Sequence, residues 1–106
     1  MSAWVYLILA GVLEVGFASM IKLTDGFTKL VPTLIFTVFA VSSFYCLTKA
    51  VQTLPIGTAY AIWTGIGAFG TILIGIFFYN ESASVLRLFF LFTLIASIIG
   101  LKLVSN

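Results

Sequence analysis

Four long apolar stretches, separated by short polar ones, account for nearly the whole chain. They run from about Ala3 to Ile21, Leu30 to Leu47, Leu54 to Phe78 and Val85 to Val104. Each is long enough to cross a hydrocarbon core of about 30 Å as an α-helix, which takes about 20 residues at 1.5 Å per residue. The apolar residues fall on every side of each stretch and not at every second position, so the pattern predicts helices and not barrel strands. A helix also satisfies its own backbone N–H and C=O groups where no water is present. The expected fold is an all-α membrane protein with four transmembrane helices per chain, a single four-helix domain over residues 1–106 with no room for a soluble domain.

The polar segments fit this division. "KLTDGFTK", residues 22 to 29, carries an Asp-Gly turn signal, and Pro32 follows within the first turn of the second helix, where a missing N–H does no harm. A tight antiparallel hairpin is expected there. "KAVQTLP", residues 49 to 55, ends on a proline suited to opening the third helix. "YNESAS", residues 79 to 84, offers Ser82 or Ser84 as N-cap of the fourth. The first stretch has no preceding Lys or Arg, no small-residue cleavage site after it and an internal Glu14, so it is expected to be retained and not removed as a signal peptide.

Composition sharpens the picture. Of 106 residues, 62% are hydrophobic and 8% charged, with a mean hydropathy of +1.28, which no soluble domain matches. There is no histidine and one cysteine, Cys46, so neither an internal disulfide nor a metal site is expected, and nothing calls for a cofactor or a nucleic-acid partner. With four spans, Lys22, Lys29 and Arg87 fall on one side, and Lys49, Lys102 and the N-terminal amine on the other. Positive charge near span ends normally sets orientation. Three against three gives no instruction, so the chain is expected to insert in both orientations, unless lipids or a partner decide.

Glu14 is the exception inside an apolar run. A charge at the bilayer centre costs about 2.5 to 3.5 kcal/mol on insertion scales. All five Lys and Arg residues lie at or near predicted span ends, so no intramembrane cation offsets it. Glu14 is therefore either protonated or facing a hydrated cavity that holds an exogenous cation. A group alternating between those states exchanges protons for cations, because occupancy by one excludes the other. The competing reading is a permanently neutral, structural carboxylic acid. Positions three and four away, Ala10, Gly11, Phe17 and Ala18, include three small residues that allow a close approach, as ordinary membrane helix packing also does.

On the third helix, Tyr60, Trp63, Gly67 and Gly70 recur at three- and four-residue intervals and share a face. The Trp63 ring suits a cation through an attraction of about 0.5 to 2 kcal/mol, and the Tyr60 hydroxyl could bond Glu14. Trp63 lies too deep for an interfacial aromatic belt. Gly65, Gly67 and Gly70 serve either a bend or close packing. Ser43, beside Ser42 on the second helix, either bonds its own i−4 carbonyl, that of Phe39, or belongs to the site. Ala96, Ser97 and Gly100 make a small-residue surface on the fourth helix that reads as an assembly face. A solid bundle of four such helices leaves little space for a pathway, so transport would need at least two copies; antiparallel pairing would build an inverted repeat from two chains.

"LEVGFASMIK" around Glu14, "GFTKLVP" at 26–32 and "LPIGTAYAIWTGIGAFG" at 54–70 resemble the small multidrug resistance family over essentially the whole length. The resemblance implies a dual-topology antiparallel homodimer, multi-pass in a bacterial inner membrane, that exchanges protons for cations. The family's central carboxylate falls on Glu14, its binding-site aromatics on Tyr60 and Trp63, its helix-two serine on Ser43, its kink on Gly65 to Gly67, and its helix-four dimer contacts on Ala96 to Gly100. "PIGTAYAIWTGIGAFGT" with "IIGLKL" at 98–103 is more similar to the guanidinium-exporting branch than to the branch that expels bulky quaternary ammonium drugs. Guanidinium is planar and makes paired hydrogen bonds to carboxylates. That branch usually has tryptophan three residues after the glutamate, where this chain has Phe17. Losing the indole N–H would relax selectivity toward hydrophobic cations. A heteromeric pair is a further possibility, although the even charge count argues against a fixed orientation. Rival classes are an enzyme, for which no nucleophile–base pair exists, a proton-translocating ring subunit, and a purely structural subunit.

Overall fold

The computed structural model describes residues 2–104. It contains four α-helices, α1 (Ala3–Met20), α2 (Leu30–Ala50), α3 (Ile56–Phe78) and α4 (Val85–Val104), with a short 3-10 turn at Lys22–Thr24. All four are long and apolar enough to cross a membrane. The amino group of Met1, counted in the charge balance, lies outside the described residues, as do Ser105 and Asn106.

Local chemistry explains the helix ends. Ser2 caps α1 by accepting the N–H of Val5 at 3.3 Å. Of the two serines offered for α4, Ser84 takes the position, accepting from Arg87 N–H at 3.2 Å, while the Ser82 hydroxyl accepts from Ser84 N–H. α2 runs three residues past its apolar stretch, to Ala50. Thr48 and Lys49 end the hydrophobic run but not the backbone pattern, and the Lys49 ammonium lies 5.5 Å from the Tyr45 ring centre, one turn back. Pro55 sits as the cap before α3, its carbonyl accepting the N–H of Ala59.

The α1–α2 connection turns on three successive left-handed residues, Asp25, Gly26 and Phe27, with φ of 49°, 70° and 65°. Thr24, fully buried, organises them. Its hydroxyl donates to the Ile21 carbonyl at 2.7 Å and accepts from Phe27 N–H, and its carbonyl accepts from Thr28 and Lys29. At the far end of α3, Asn80 takes φ 56°, a conformation asparagine tolerates, so that Glu81 N–H returns to the Gly75 carbonyl.

α1 packs against both α2 and α3, and α3 packs against α4, giving the spatial order α2, α1, α3, α4. The molecule measures 42 × 35 × 18 Å. α1, α2 and α3 touch one another, whereas α4 packs against α3 alone among the described helices, so the chain is an open arrangement and not the solid bundle expected from four apolar helices. Small residues make the close pairs. A side chain at Gly11 would strike Ile66, one at Gly16 would strike Phe39, and one at Gly70 would strike Val15. The buried core gathers Leu7, Ala10, Cys46, Ala50, Leu54, Ala59, Ile62 and Trp63 near the α2–α3 connection. On α4 only Leu91 is buried among the described residues.

Candidate functional site

Glu14 lies on the α1 face that meets α3. Its carboxylate occupies the space that a side chain at Gly67 would need. Its Oε1 is buried, with no hydrogen-bond partner among the described residues. Among the described residues no cation pairs with it. Lys22 lies over the Tyr79 ring at 5.2 Å, Lys102 over the Trp4 ring at 5.4 Å, and Arg87 pairs with Glu81 at 2.7 Å. These contacts occupy the helix ends and leave the middle of the spans with a lone carboxyl group.

Trp63 is buried, and its indole N–H donates to the Ser43 hydroxyl at 3.0 Å. That hydroxyl donates in turn to the Ala10 carbonyl at 2.7 Å. Ser43 therefore does not bond its own helix at Phe39; it links α3 to α1 through α2. A carbonyl has two lone pairs, and by the i to i−4 pattern of a helix the Ala10 carbonyl also takes the N–H of Glu14. The backbone carrying the carboxylate is thus tied to the Trp63 indole by two side-chain hydrogen bonds.

The remaining predicted residues separate by position. Trp63, Gly67 and Gly70 share the face toward α1, as their spacing indicates. Tyr60 stands at its edge, 57% exposed, with its ring 5.8 Å from that of Trp63. No bond from its hydroxyl to Glu14 forms within the chain. Phe17 is half-buried, edge-on to Phe36 at 5.5 Å and stacked on Phe44 at 6.1 Å. Gly65 turns toward α4, where Ile98 and Leu94 fill the space above it, so Gly65 and Gly67 serve opposite neighbours. Ala96 and Ser97 are exposed, the Ser97 hydroxyl bonding the Thr93 carbonyl of its own helix, and nothing lies within 4 Å of a side chain placed at Gly100.

Three rings, Phe27, Phe36 and Phe44, and one carbonyl, that of Ala10, join the site without having been expected there. Phe36 and Phe44 extend the aromatic set into a continuous row, Phe27, Phe36, Phe17, Phe44, Trp63 and Tyr60, with successive centroids 5.1 to 6.1 Å apart. Their eight-residue spacing, two turns of one helix face, was the available signal. The Ala10 carbonyl carried no signal, since any backbone offers one.

A profile of the family described as Small Multidrug Resistance protein matches residues 2–95. A protein named guanidinium exporter in Citrobacter freundii is 50% identical over 104 residues, covering 98% of this chain and 99% of that protein. One of the same name in Yersinia pseudotuberculosis is 48% identical over 103 residues, 97% of this chain and 99% of its own. With matches this long, and four helices able to cross a membrane, the chain belongs to the small multidrug resistance family of multi-pass membrane proteins.

Proposed function

We propose that the protein exports small guanidinium-type cations in exchange for protons, with Glu14 alternating between the two, as an antiparallel homodimer in a bacterial inner membrane. The observation that carries this reading is the buried Glu14 oxygen with no partner among the described residues, in a chain whose basic side chains are all engaged elsewhere or lie at helix ends. Relatives named guanidinium exporter, alike over nearly the full length, support the choice of substrate. A planar cation with paired N–H groups suits one or two carboxylates. Tyr60, Trp63, Ser43 and Phe17 line the substrate's side of the site; Gly65 and Gly67 act as the hinge that alternates access; Ala96, Ser97 and Gly100 form the contact between chains.

A second reading has its own observation. The Phe17 ring presents apolar aromatic surface continuous with Phe36 and Phe44 and carries no donor, which favours hydrophobic quaternary ammonium cations. Substrate-triggered current or proton release from reconstituted protein separates the two, with guanidinium and a bulky quaternary ammonium as substrates and Glu14→Gln as the blank. A response to guanidinium alone supports the first reading, and a response to the bulky cation moves the multidrug reading ahead. Silence with both points to a partner chain of different sequence. Exchange that persists in Glu14→Gln overturns the carboxylate mechanism and favours a structural role for Glu14.

A further inference from the structure

α1 and α4 flank α3 without packing against each other, and a cavity of about 340 Å³ lies between them. Ile62 and Ile66 of α3 form its floor, Trp4 and Ile8 of α1 one wall, and Ile98 and Ile99 of α4 the other. Ile62 is buried, while Ile8 and Ile99 are about half exposed, so the cavity is a groove with an open rim. Five isoleucines offer water no hydrogen bond, and an apolar cavity of this kind stays dry. In a membrane it fills with hydrocarbon. The groove also opens away from the proposed contact between chains and from the substrate's side. Ile98, Ile99 and Lys102 each stand two residues beyond Ala96, Ser97 and Gly100, about 200° round α4, and Ile62 stands at the same angle from Tyr60 on α3.

Depth and charge both bear on what fills it. Trp4 and Lys102 lie near the ends of their helices on the side of the α2–α3 connection, the ammonium 5.4 Å from the ring centre. Ile66, on the floor, follows Ile56 at the start of α3 by ten residues, which at 1.5 Å each is about 15 Å, half of a hydrocarbon core of about 30 Å. One acyl chain of a single leaflet covers that distance. The chain's three acidic side chains are elsewhere, Glu14 within α1 and Asp25 and Glu81 in the connections at the opposite end. Lys102 therefore has no acidic side chain of its own chain beside it. A lysine in this place lays its stem on apolar surface and keeps its ammonium at the level of the lipid headgroups, where tryptophan also sits. A cation at the top of an apolar groove complements a lipid whose phosphate carries no cation of its own.

We propose that this groove seats one acyl chain of an anionic phospholipid, with the lipid's phosphate held by Lys102. Trp4 reports on the site directly, because Trp63 is the chain's other tryptophan and Trp63→Phe leaves Trp4 as the sole indole. In phosphatidylcholine vesicles, a minor fraction of phosphatidylglycerol brominated on its acyl chains should quench Trp4 fluorescence more than the same fraction of brominated phosphatidylcholine. The expected preference is about fivefold in association, the factor for one lysine near an anionic headgroup. Lys102→Gln should remove the preference, and Lys29→Gln, at the opposite end of the spans, should keep it. Equal quenching by the two lipids, or a preference that survives Lys102→Gln, overturns the site. Native mass spectrometry of the unsubstituted protein needs no variant: preferential retention of phosphatidylglycerol over phosphatidylcholine supports the site, and equal retention overturns it. Ile99→Cys in a Cys46→Ala background tests the other occupant. Disulfide-linked pairs formed in the bilayer place a second copy of the chain in the groove and overturn the lipid, whereas chains that stay unlinked support it.

Discussion

The Ser43 hydroxyl both accepts and donates, so removing it strands the Trp63 N–H in an apolar setting. Interhelical hydrogen bonds in membranes are worth about 0.6 to 2 kcal/mol, which places the expected cost of Ser43→Ala near 1 kcal/mol. Trp63→Phe removes the same bond from the other side. Unfolding measurements on the two single variants and the double variant should therefore be non-additive, the double costing less than the sum; additive losses would mean that the bond contributes nothing. Gly67 tests the carboxylate's seat. Gly67→Ala sets a methyl group where the Glu14 carboxylate lies, and it should weaken guanidinium binding by about tenfold, a cost of about 1.4 kcal/mol. Gly57→Ala, with nothing within 4 Å, should leave binding unchanged.

At the scale of the helices, the sequence was legible to within about three residues at every end, because hydropathy and the residues Ser84 and Pro55 are local signals; the Ser2 cap of α1 was an unread one. Relations between helices were not. Whether Ser43 bonds Phe39 or Ala10 depends on the depth of α2 beside α1, and no periodicity within α2 encodes that depth. Gly65 and Gly67 stand about 200° apart because two positions of a helix separate them, which the spacing shows; that the one meets α4 and the other α1 it does not show. α4 belongs to this scale too. Its Ala96 and Ser97 are exposed and Gly100 has open space above it, so Gly100→Leu meets no obstacle within the chain. The variant should insert and fold but lose self-association in bilayers, as read by cross-linking; unchanged association would move the interface elsewhere.

For the whole molecule, the number of spans and their apolar character could be read from the sequence, but the open arrangement could not, since hydropathy does not say which helices are neighbours. The open arrangement leaves large apolar side chains bare on α2 and α4, including Val38, Val41, Phe89, Phe92 and Ile99. Lipid covers such surface as readily as protein does, so exposure alone does not choose a partner. The charge balance bears on that choice. If copies insert both ways, Ala83→Lys should bias the α3–α4 connection to the cytoplasmic side and reduce transport, and co-expression with an oppositely biased chain should restore it. A topology reporter fused after α4 would show the shift, and full activity of a chain confined to one orientation would rule out antiparallel assembly.

The bonds from Trp63 through Ser43 to Ala10 have a direction, and the direction has an electrical consequence. An indole N–H donates but does not ordinarily ionise, and an amide carbonyl accepts a hydrogen bond without passing a proton onward. The link between the three helices is therefore blocked at both termini, a strut that cannot conduct. On the proposed exchange at Glu14, a proton held there has no exit toward α2 through this link, so the contact that ties the three helices together does not short-circuit the coupling.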